Sequence, residues 1–363
     1  MNGDIFPEII KLKLPVLAIF NDREPGTFII VDIGGGISRA SFKNDDITWK
    51  EIDSVRFSAR CNQLFFDAER QIIYGFGRRD FHAIDLKTKQ YRKIITSFDG
   101  NDMILFSTLL KEDSIQFLIQ TIHTGWTDKD SYEVYSIYDF EKNSTVFSTG
   151  RFQGGGMLYP IGKNNLLYQK WNRQEPTDWF FTDNTLSQKI TNKFTDELTA
   201  LSMGVWDHGF NYDKQIFVGF AQYDSAGSDR EILYMVRWKP DFTDYSIFPF
   251  TFHEPEHRSI QEYFEISPDG KWIKGISADD GLEIRENKVA FYHSDTKYPS
   301  GLSLAVHGST SILNWHYPGA FVETKQWGMV YIDIFKGLDG LLFIYKMSDV
   351  LEQVVLRANE MVE

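Results

Sequence analysis

One cysteine, Cys61, stands among the 363 residues. No disulfide can form within such a chain, and the pattern fits a reducing compartment. Runs of Lys or Arg are missing. With 51 acidic against 38 basic residues the formal charge is −13, which disfavours the nucleic-acid backbone as a partner. No window approaches 18 uncharged apolar residues, so no transmembrane helix is expected. The first twenty residues carry Asp4 and Glu8 within a broken apolar run and do not read as a signal peptide. The expectation is a cytoplasmic protein that meets neither membrane nor nucleic acid. The motifs G-x-S-x-G and C-x-x-C and the P-loop are absent, so no reaction is named by motif. Long amphipathic helices are scarce.

What is present is globular: 42% hydrophobic and 25% charged residues, which excludes disorder as the main state. Aromatics reach 15%, with 30 Phe, 17 Tyr and 9 Trp. The prevailing local pattern is the short strand, an aromatic and β-branched run of four to seven residues cut by Gly, Asn, Asp or Pro.

These strands repeat. An apolar run, a turn and a second run recur from Phe28, Phe81, Val134, Trp179, Leu233, Ala290 and Leu342. Marker residues near the end of each first run are Asp32, Asp85, Asp139, Asp183, Arg237, His293 and Lys346. Their intervals are 53, 54, 44, 54, 56 and 53 residues, about 52 each, as a repeat architecture requires. A further hairpin precedes the first in most units, beginning at Leu64, Leu109, Leu158, Gly209, Phe264 and Phe321. Unit one is short, with only Val16–Phe20 ahead of its Phe28 run.

Two hairpins per unit make four strands, and four-stranded antiparallel units repeated radially are β-propeller blades. The fold class is all-β, a seven-bladed β-propeller with four-stranded antiparallel blades. Six or eight blades remain alternatives. Two β-sandwiches would use strands of similar length, but the regular interval favours the propeller. Residues 1–363 read as one propeller domain whose ring is closed by an N-terminal strand at Ile9–Leu14. In 349–363, Val350, Leu351, Val354, Val355, Ala358, Met361 and Val362 follow helical spacing, so this tail is either a helix or the last strand. If it is a helix, the N-terminal strand must supply the outer strand of the last blade.

Ser267-Pro268-Asp269-Gly270-Lys271-Trp272 resembles the turn common in TolB-like and WD-type propellers. The resemblance implies that it joins the inner two strands of a blade. Pro presets the turn and Asp-Gly supplies the reversal. The likeness is to an architecture and implies no one activity.

Three motifs resemble chemistry. His253-Glu254-Pro255-Glu256-His257 matches H-E-x-x-H, which needs a helix so that both His face one way. Pro255 would cost such a helix about 3 kcal/mol, so a loop is expected, with His253 and His257 as weak metal candidates only. Asp32-Ile33-Gly34-Gly35-Gly36 is similar to the phosphate loop of actin-like and sugar-kinase ATPases, but the long helices of that fold are missing. A Gly-rich hairpin turn is expected instead. Gly154-Gly155-Gly156 precedes no helix and reads as a loop between blades.

In a propeller the loops joining second to third strands, and those joining successive blades, gather on one face, where ligands usually bind by analogy of fold. The loops assigned to that face include Asn21–Glu24, Arg78-Arg79-Asp80, His123–Asp128, Arg151, and segments holding Trp171 with Arg173, Trp206 with Asp207 and His208, and Trp315 with His316. Trp126, Trp171, Trp206 and Trp315 thus fall on one face beside acids, Arg173 and histidines. Flat aromatics beside hydrogen-bonding groups suit sugar rings and equally suit protein hot spots. Trp49, Trp179, Trp238, Trp272 and Trp327 fall in strands or their turns and are assigned to packing. The leading reading is a noncatalytic platform for a protein or peptide partner. The alternative is a carbohydrate-binding or glycan-cleaving funnel. A divalent-metal site from the loop acids and His is the third. No cofactor is implied.

Overall fold

The turns that set the repeat are built by aspartates. Asp85 Oδ1 accepts the N–H groups of Lys87 and Thr88 at 2.8 and 2.9 Å. Asp139 Oδ1 accepts Lys142 N–H at 2.9 Å, and Asp67 Oδ1 accepts Arg70 N–H at 2.9 Å. Each carboxylate replaces a backbone acceptor that the reversal removes. The result is a chain that stops and turns every few residues. A computed structural model describes residues 8–12, 15–43, 46–57, 61, 63–94, 102–111, 115–124, 131–149, 151, 156–162, 165–170, 177–182, 188–204, 210–211, 214–222, 231–239, 242–250, 259–279, 287–295, 302–305, 319–334 and 341–360.

After β1 (Glu8–Lys11), the first sheet contains β2 (Val16–Asn21), β3 (Thr27–Asp32), β4 (Gly36–Lys43) and β5 (Asp46–Arg56). The second contains β6 (Gln63–Asp67), β7 (Ile72–Phe76), β8 (Phe81–Asp85) and β9 (Gln90–Ile94). The third contains β10 (Asp102–Lys111), β11 (Ile115–His123), β12 (Tyr132–Asp139) and β13 (Ser144–Ser148). The fourth has β14 (Gly156–Gly162), β15 (Asn165–Lys170) and β16 (Asp178–Thr182), followed by α1 (Lys193–Ala200). In the fifth, β17 (Met203–Gly204) and β18 (Phe210–Asn211) both pair with β19 (Ile216–Gln222), followed by β20 (Glu231–Trp238) and β21 (Tyr245–Phe250). The sixth holds β22 (Ser259–Ile266), β23 (Trp272–Asp279), β24 (Asn287–His293) and β25 (Leu302–Ala305). The seventh holds β26 (Ala320–Thr324), β27 (Gly328–Ile334) and β28 (Leu341–Lys346), and α2 (Met347–Glu360) ends the described chain.

These seven antiparallel sheets are the blades of a seven-bladed β-propeller. β1 pairs antiparallel with β28, Glu8 opposite Ile344 and Lys11 opposite Leu341, and so takes the fourth position of the seventh sheet. The tail is helical and leaves that position to β1.

Two contact units divide the chain: Met1–Asp53 with Gly204–Glu363, and Ser54–Met203. In the first unit, one apolar cluster joins the first and seventh sheets through Val16, Ile19, Phe28, Val322, Ile332 and Ile344. Gly26 N–H donates to the Glu323 carbonyl across the same seam. Another cluster packs α2, through Val350 and Val354, under Trp272, Phe291, Tyr331 and Tyr345. Within it, Lys274 is 1% exposed, and its Nζ lies 3.5 Å from Glu265 Oε1 and 5.3 Å above the Tyr331 ring. In the second unit, Phe76, Phe81, Phe117 and Tyr138 join the second and third sheets. Leu118, Tyr135, Leu158 and Tyr168 join the third and fourth. Middle strands are buried, whereas strands in the fourth position are not. Residues Phe81–Ile84 of β8 are all buried, while Gln90–Lys93 of β9, in the fourth position, are all exposed.

The Ser267–Trp272 turn joins β22 to β23, the first two strands of the sixth sheet, as its resemblance implies. Ser267 Oγ accepts Trp272 N–H at 2.9 Å, Asp269 Oδ1 accepts Lys271 N–H at 3.0 Å, and Gly270 sits at φ +72. Trp179, Trp238 and Trp272 are buried, and Trp327 is partly buried against the cluster of the first and seventh sheets.

One expectation is corrected. Asp32 ends the second strand of its sheet, whereas Asp85 and Asp139 end third strands. Unit one is therefore displaced by one strand in the repeat, and Asn21–Glu24 belongs to the turn between first and second strands. Among the described residues the fourth sheet shows three strands, and its outer edge meets Ile190, bridged to Phe181, and α1. There Thr199 Oγ1 accepts Trp179 N–H at 3.0 Å, and Ser202 Oγ accepts Thr177 N–H at 3.2 Å. Hydroxyls of the α1 segment thus satisfy donors that a fourth strand would have paired, and an exposed sheet edge is avoided. The segment starts as a helix because Asn192 caps it: Asn192 Oδ1 accepts Thr195 N–H, and Thr195 Oγ1 accepts Asn192 N–H, a reciprocal cap.

Candidate functional site

The end of each sheet that carries its second-to-third loop, and the chain's passage to the next sheet, is here called distal. All ten residues singled out from sequence lie outside the described residues: Trp126, Trp171, Arg173, Trp206, Asp207, His208, Trp315 and His316, with the metal candidates His253 and His257. Other residues of the same predicted face are described, namely Arg78, Arg79, Asp80, His123 and Arg151.

The distal end of the third sheet is the richest. Strands β11 and β12 pair so that His123 stands opposite Tyr132. Their rings stack with centroids 4.5 Å apart and planes 8° from parallel. The Arg151 guanidinium lies 4.5 Å over the Tyr132 ring, a cation–π contact. Arg151 is exposed, and both rings are half-buried.

Because side chains alternate across a strand, the next residue, Glu133, points to the opposite face, toward the fourth sheet. There Gln120, 1% exposed, donates from Nε2 toward Glu133 Oε2 at 2.9 Å, the Tyr135 hydroxyl at 3.1 Å and the Gly156 carbonyl at 3.2 Å. The Tyr135 hydroxyl lies 2.9 Å from the Gly156 carbonyl and 3.2 Å from Glu133 Oε2, and it also meets the Tyr168 hydroxyl. Burial pushes the Glu133 carboxyl above its ordinary range, although bonds from Gln120 and Tyr135 pull the other way. Burial pushes the Tyr168 phenol up to about 12. Residues Gln120, Glu133, Tyr135 and Tyr168 were missed from sequence. The available signal was polar residues within otherwise apolar strands: Gln120 in IQFLIQTI and Glu133 in YEVYSIY.

At the distal end of the second sheet, Asp80 meets Lys93 and His82. Its Oδ2 is 3.0 Å from Lys93 Nζ, and its Oδ1 is 3.2 Å from Nε2 of His82, itself 1% exposed. His82 Nδ1 meets the Tyr91 hydroxyl. Partial burial raises the Asp80 carboxyl, but Lys93 and His82 outweigh it and hold the group below the ordinary range. Burial, and then the Asp80 charge, push the Cys61 thiol up to about 12. Arg78 and Arg79 are exposed in the same loop.

At the Gly-rich turn, Asp32 Oδ1 already accepts Gly34 N–H at 2.7 Å and Gly36 N–H at 2.9 Å. The chain's own carboxylate occupies the place a phosphate would need, so the hairpin reading holds. Among the described residues no group of three or more His, Cys, Asp or Glu is placed to hold a metal, and no helix is long and apolar enough to cross a membrane.

No protein-family model and no curated protein matches the chain. Among solved structures, one match is the crystal structure of the WD40 beta propeller domain of Doa1. It is 12% identical, with 95% of this chain and 97% of that chain covered and a TM-score of 0.48.

Proposed function

We propose that this propeller is a noncatalytic recognition platform and that it binds a protein or peptide segment across the distal end of its third sheet. The carrying observation is the His123–Tyr132–Arg151 column. Tyr and Arg are the residue types that concentrate binding energy at protein interfaces. Stacking holds them in one arrangement, so little side-chain freedom is left to lose on binding. The fold supports the reading, since a ring of short sheets presents rigid loop ends without exposing long sheet edges.

The test is selection from a displayed library of 15-residue peptides. The wild-type chain should enrich a consensus. Tyr132→Ala and Arg151→Ala should each lose it by about tenfold or more, the scale of a 1.4 kcal/mol contact. Lys142→Ala, at the opposite end of the same sheet, should retain it. Failure to enrich any consensus, with binding on a glycan array instead, overturns the proposal in favour of a carbohydrate ligand.

A further inference from the structure

We infer that the distal seam between the third and fourth sheets receives a basic side chain of the bound segment, with the Glu133 carboxylate and the free carbonyl of Gln120 as its acceptors. The inference deepens the recognition reading and rests on it.

A primary amide has two N–H protons and a phenol one. Gln120 aims its Nε2 at three acceptors, Glu133 Oε2, Tyr135 Oη and the Gly156 carbonyl. This fixes the amide's orientation, because the reversed amide would set its oxygen 2.9 Å from a carboxylate oxygen and 3.2 Å from a carbonyl oxygen. Both protons are then spent. Among the described residues Gln120 Oε1 is left buried with no hydrogen-bond partner, a condition few buried polar atoms show. Tyr135 and Tyr168, whose hydroxyls meet, bring one proton each, and Tyr135 faces two further acceptors, Glu133 Oε2 and the Gly156 carbonyl. Among the described residues the cluster, counted with Gln120 and both carboxylate oxygens, therefore holds more acceptors than protons, and one of its acceptors is a carboxylate.

A ligand that completes the cluster must bring several N–H donors and a positive charge. A guanidinium supplies five donors in a flat fork, and an ammonium three. The faces of Tyr135 and Tyr168, set edge to face with centroids 6.2 Å apart, favour a cation over a neutral donor. A calcium ion takes six to eight oxygen ligands, usually with several carboxylates, and one carboxylate does not meet that need. Burial displaces the Glu133 carboxyl upward, and among the described residues no cation is placed against it to offset this. A net charge of −13 favours the approach of a basic segment.

The experiment titrates the 363-residue chain, observed by NMR, with N-acetyl-arginine methylamide and with the isosteric but neutral citrulline analogue. The arginine probe should bind about tenfold or more tightly than the citrulline probe, with shifts confined to β11, β12, β14 and β15. Glu133→Gln should bring the two probes level without lowering Tm. Glu133→Asp, which keeps the charge, should retain part of the preference and serves as the variant to read if Glu133→Gln fails to fold. Equal binding of both probes by the wild-type chain, or an arginine preference that survives Glu133→Gln, overturns the inference. The peptide selection separates the two ideas. A consensus lacking a basic position leaves the platform standing and removes this site, whereas no consensus removes the platform, and the arginine probe then decides the site alone.

Discussion

Adding one methyl group at Gly156 tests the packing of the seam directly. A Cβ there would overlap the Tyr168 hydroxyl and stand 2.6 Å from the Gln169 carbonyl oxygen and from the Tyr168 ring. Neither neighbour can give way cheaply. Tyr168 is 3% exposed, meets the Tyr135 hydroxyl and packs edge-on against Phe180 at 5.1 Å. Gln169 is held in the ladder opposite Met157 and Trp179. Overpacking of this kind costs about 1–3 kcal/mol. The unfolded chain loses freedom when Gly becomes Ala, which returns about 0.4–1 kcal/mol. The net expectation for Gly156→Ala is a loss of about 1–2 kcal/mol. With an unfolding entropy of about 2.1 cal/mol/K per residue, a cooperative transition of the whole chain would move by about 1–3 °C. Urea titration reads the loss as a lower midpoint at unchanged slope. Tyr168→Phe removes the overlapping hydroxyl but not the ring or the carbonyl, so the double variant should recover part of the loss. If Gly156→Ala matches the wild type, the close approach of β14 to Tyr168 is wrong. If Tyr168→Phe gives no relief, the obstruction is the ring and the backbone rather than the hydroxyl.

Other outcomes follow from the same geometry. Asp80 is held low by Lys93 and His82 against partial burial. Its stabilisation is present above the unfolded aspartate range, near pH 4, and is lost as pH falls through the folded value. Asp80→Asn should therefore lower stability at pH 7 and flatten the acid limb of a stability–pH curve, and an unaltered limb would refute the pairing. Thr199→Val strands the Trp179 N–H at the outer edge of the fourth sheet, costing about 1–3 kcal/mol. Amide exchange at Trp179 should accelerate while β11 amides hold, and equal exchange would show that the hydroxyl is dispensable. Cys61, buried and with its thiol pushed up to about 12, should resist iodoacetamide at pH 8 until the chain unfolds. Alkylation at the rate of a free thiol would contradict its burial.

The repeat was legible because its markers are turn chemistry. Asp85 and Asp139 each end a third strand and accept the N–H groups of the turn that follows. An Asx turn, however, does not record which turn of a blade it closes. Asp32 makes the same kind of turn after a second strand, and the short first unit offered no earlier hairpin to fix its phase. That single slip placed Asn21–Glu24 at the wrong end of its sheet. The fourth unit carries a feature that periodicity does not reveal. Its edge is closed by side-chain hydroxyls on a two-turn helix, and such a segment resembles a polar loop when only strand periodicity is sought.

The seam chemistry was illegible because it joins residues of different sheets. Gln120 reaches Gly156 across 36 positions, and a polar residue within an apolar strand does not by itself tell which distant group it meets. A rule for finding such seams nevertheless follows from the stacking. Gly156 lies twelve residues before Tyr168, and Gly319 twelve before Tyr331. In both pairs an added Cβ would strike the tyrosine hydroxyl and the carbonyl of the residue after it. A glycine at the start of a first strand thus lets a tyrosine of the second strand bring its hydroxyl against the backbone. What surrounds that hydroxyl differs between the two seams. Tyr168 faces Tyr135 in the acceptor-rich cluster of Glu133 and Gln120. Tyr331 faces the buried Lys274–Glu265 pair, whose cation is already in place. One packing device therefore serves two seams, one that contains its own cation and one that, among the described residues, lacks it, and only the second has a reason to recruit a basic group from outside.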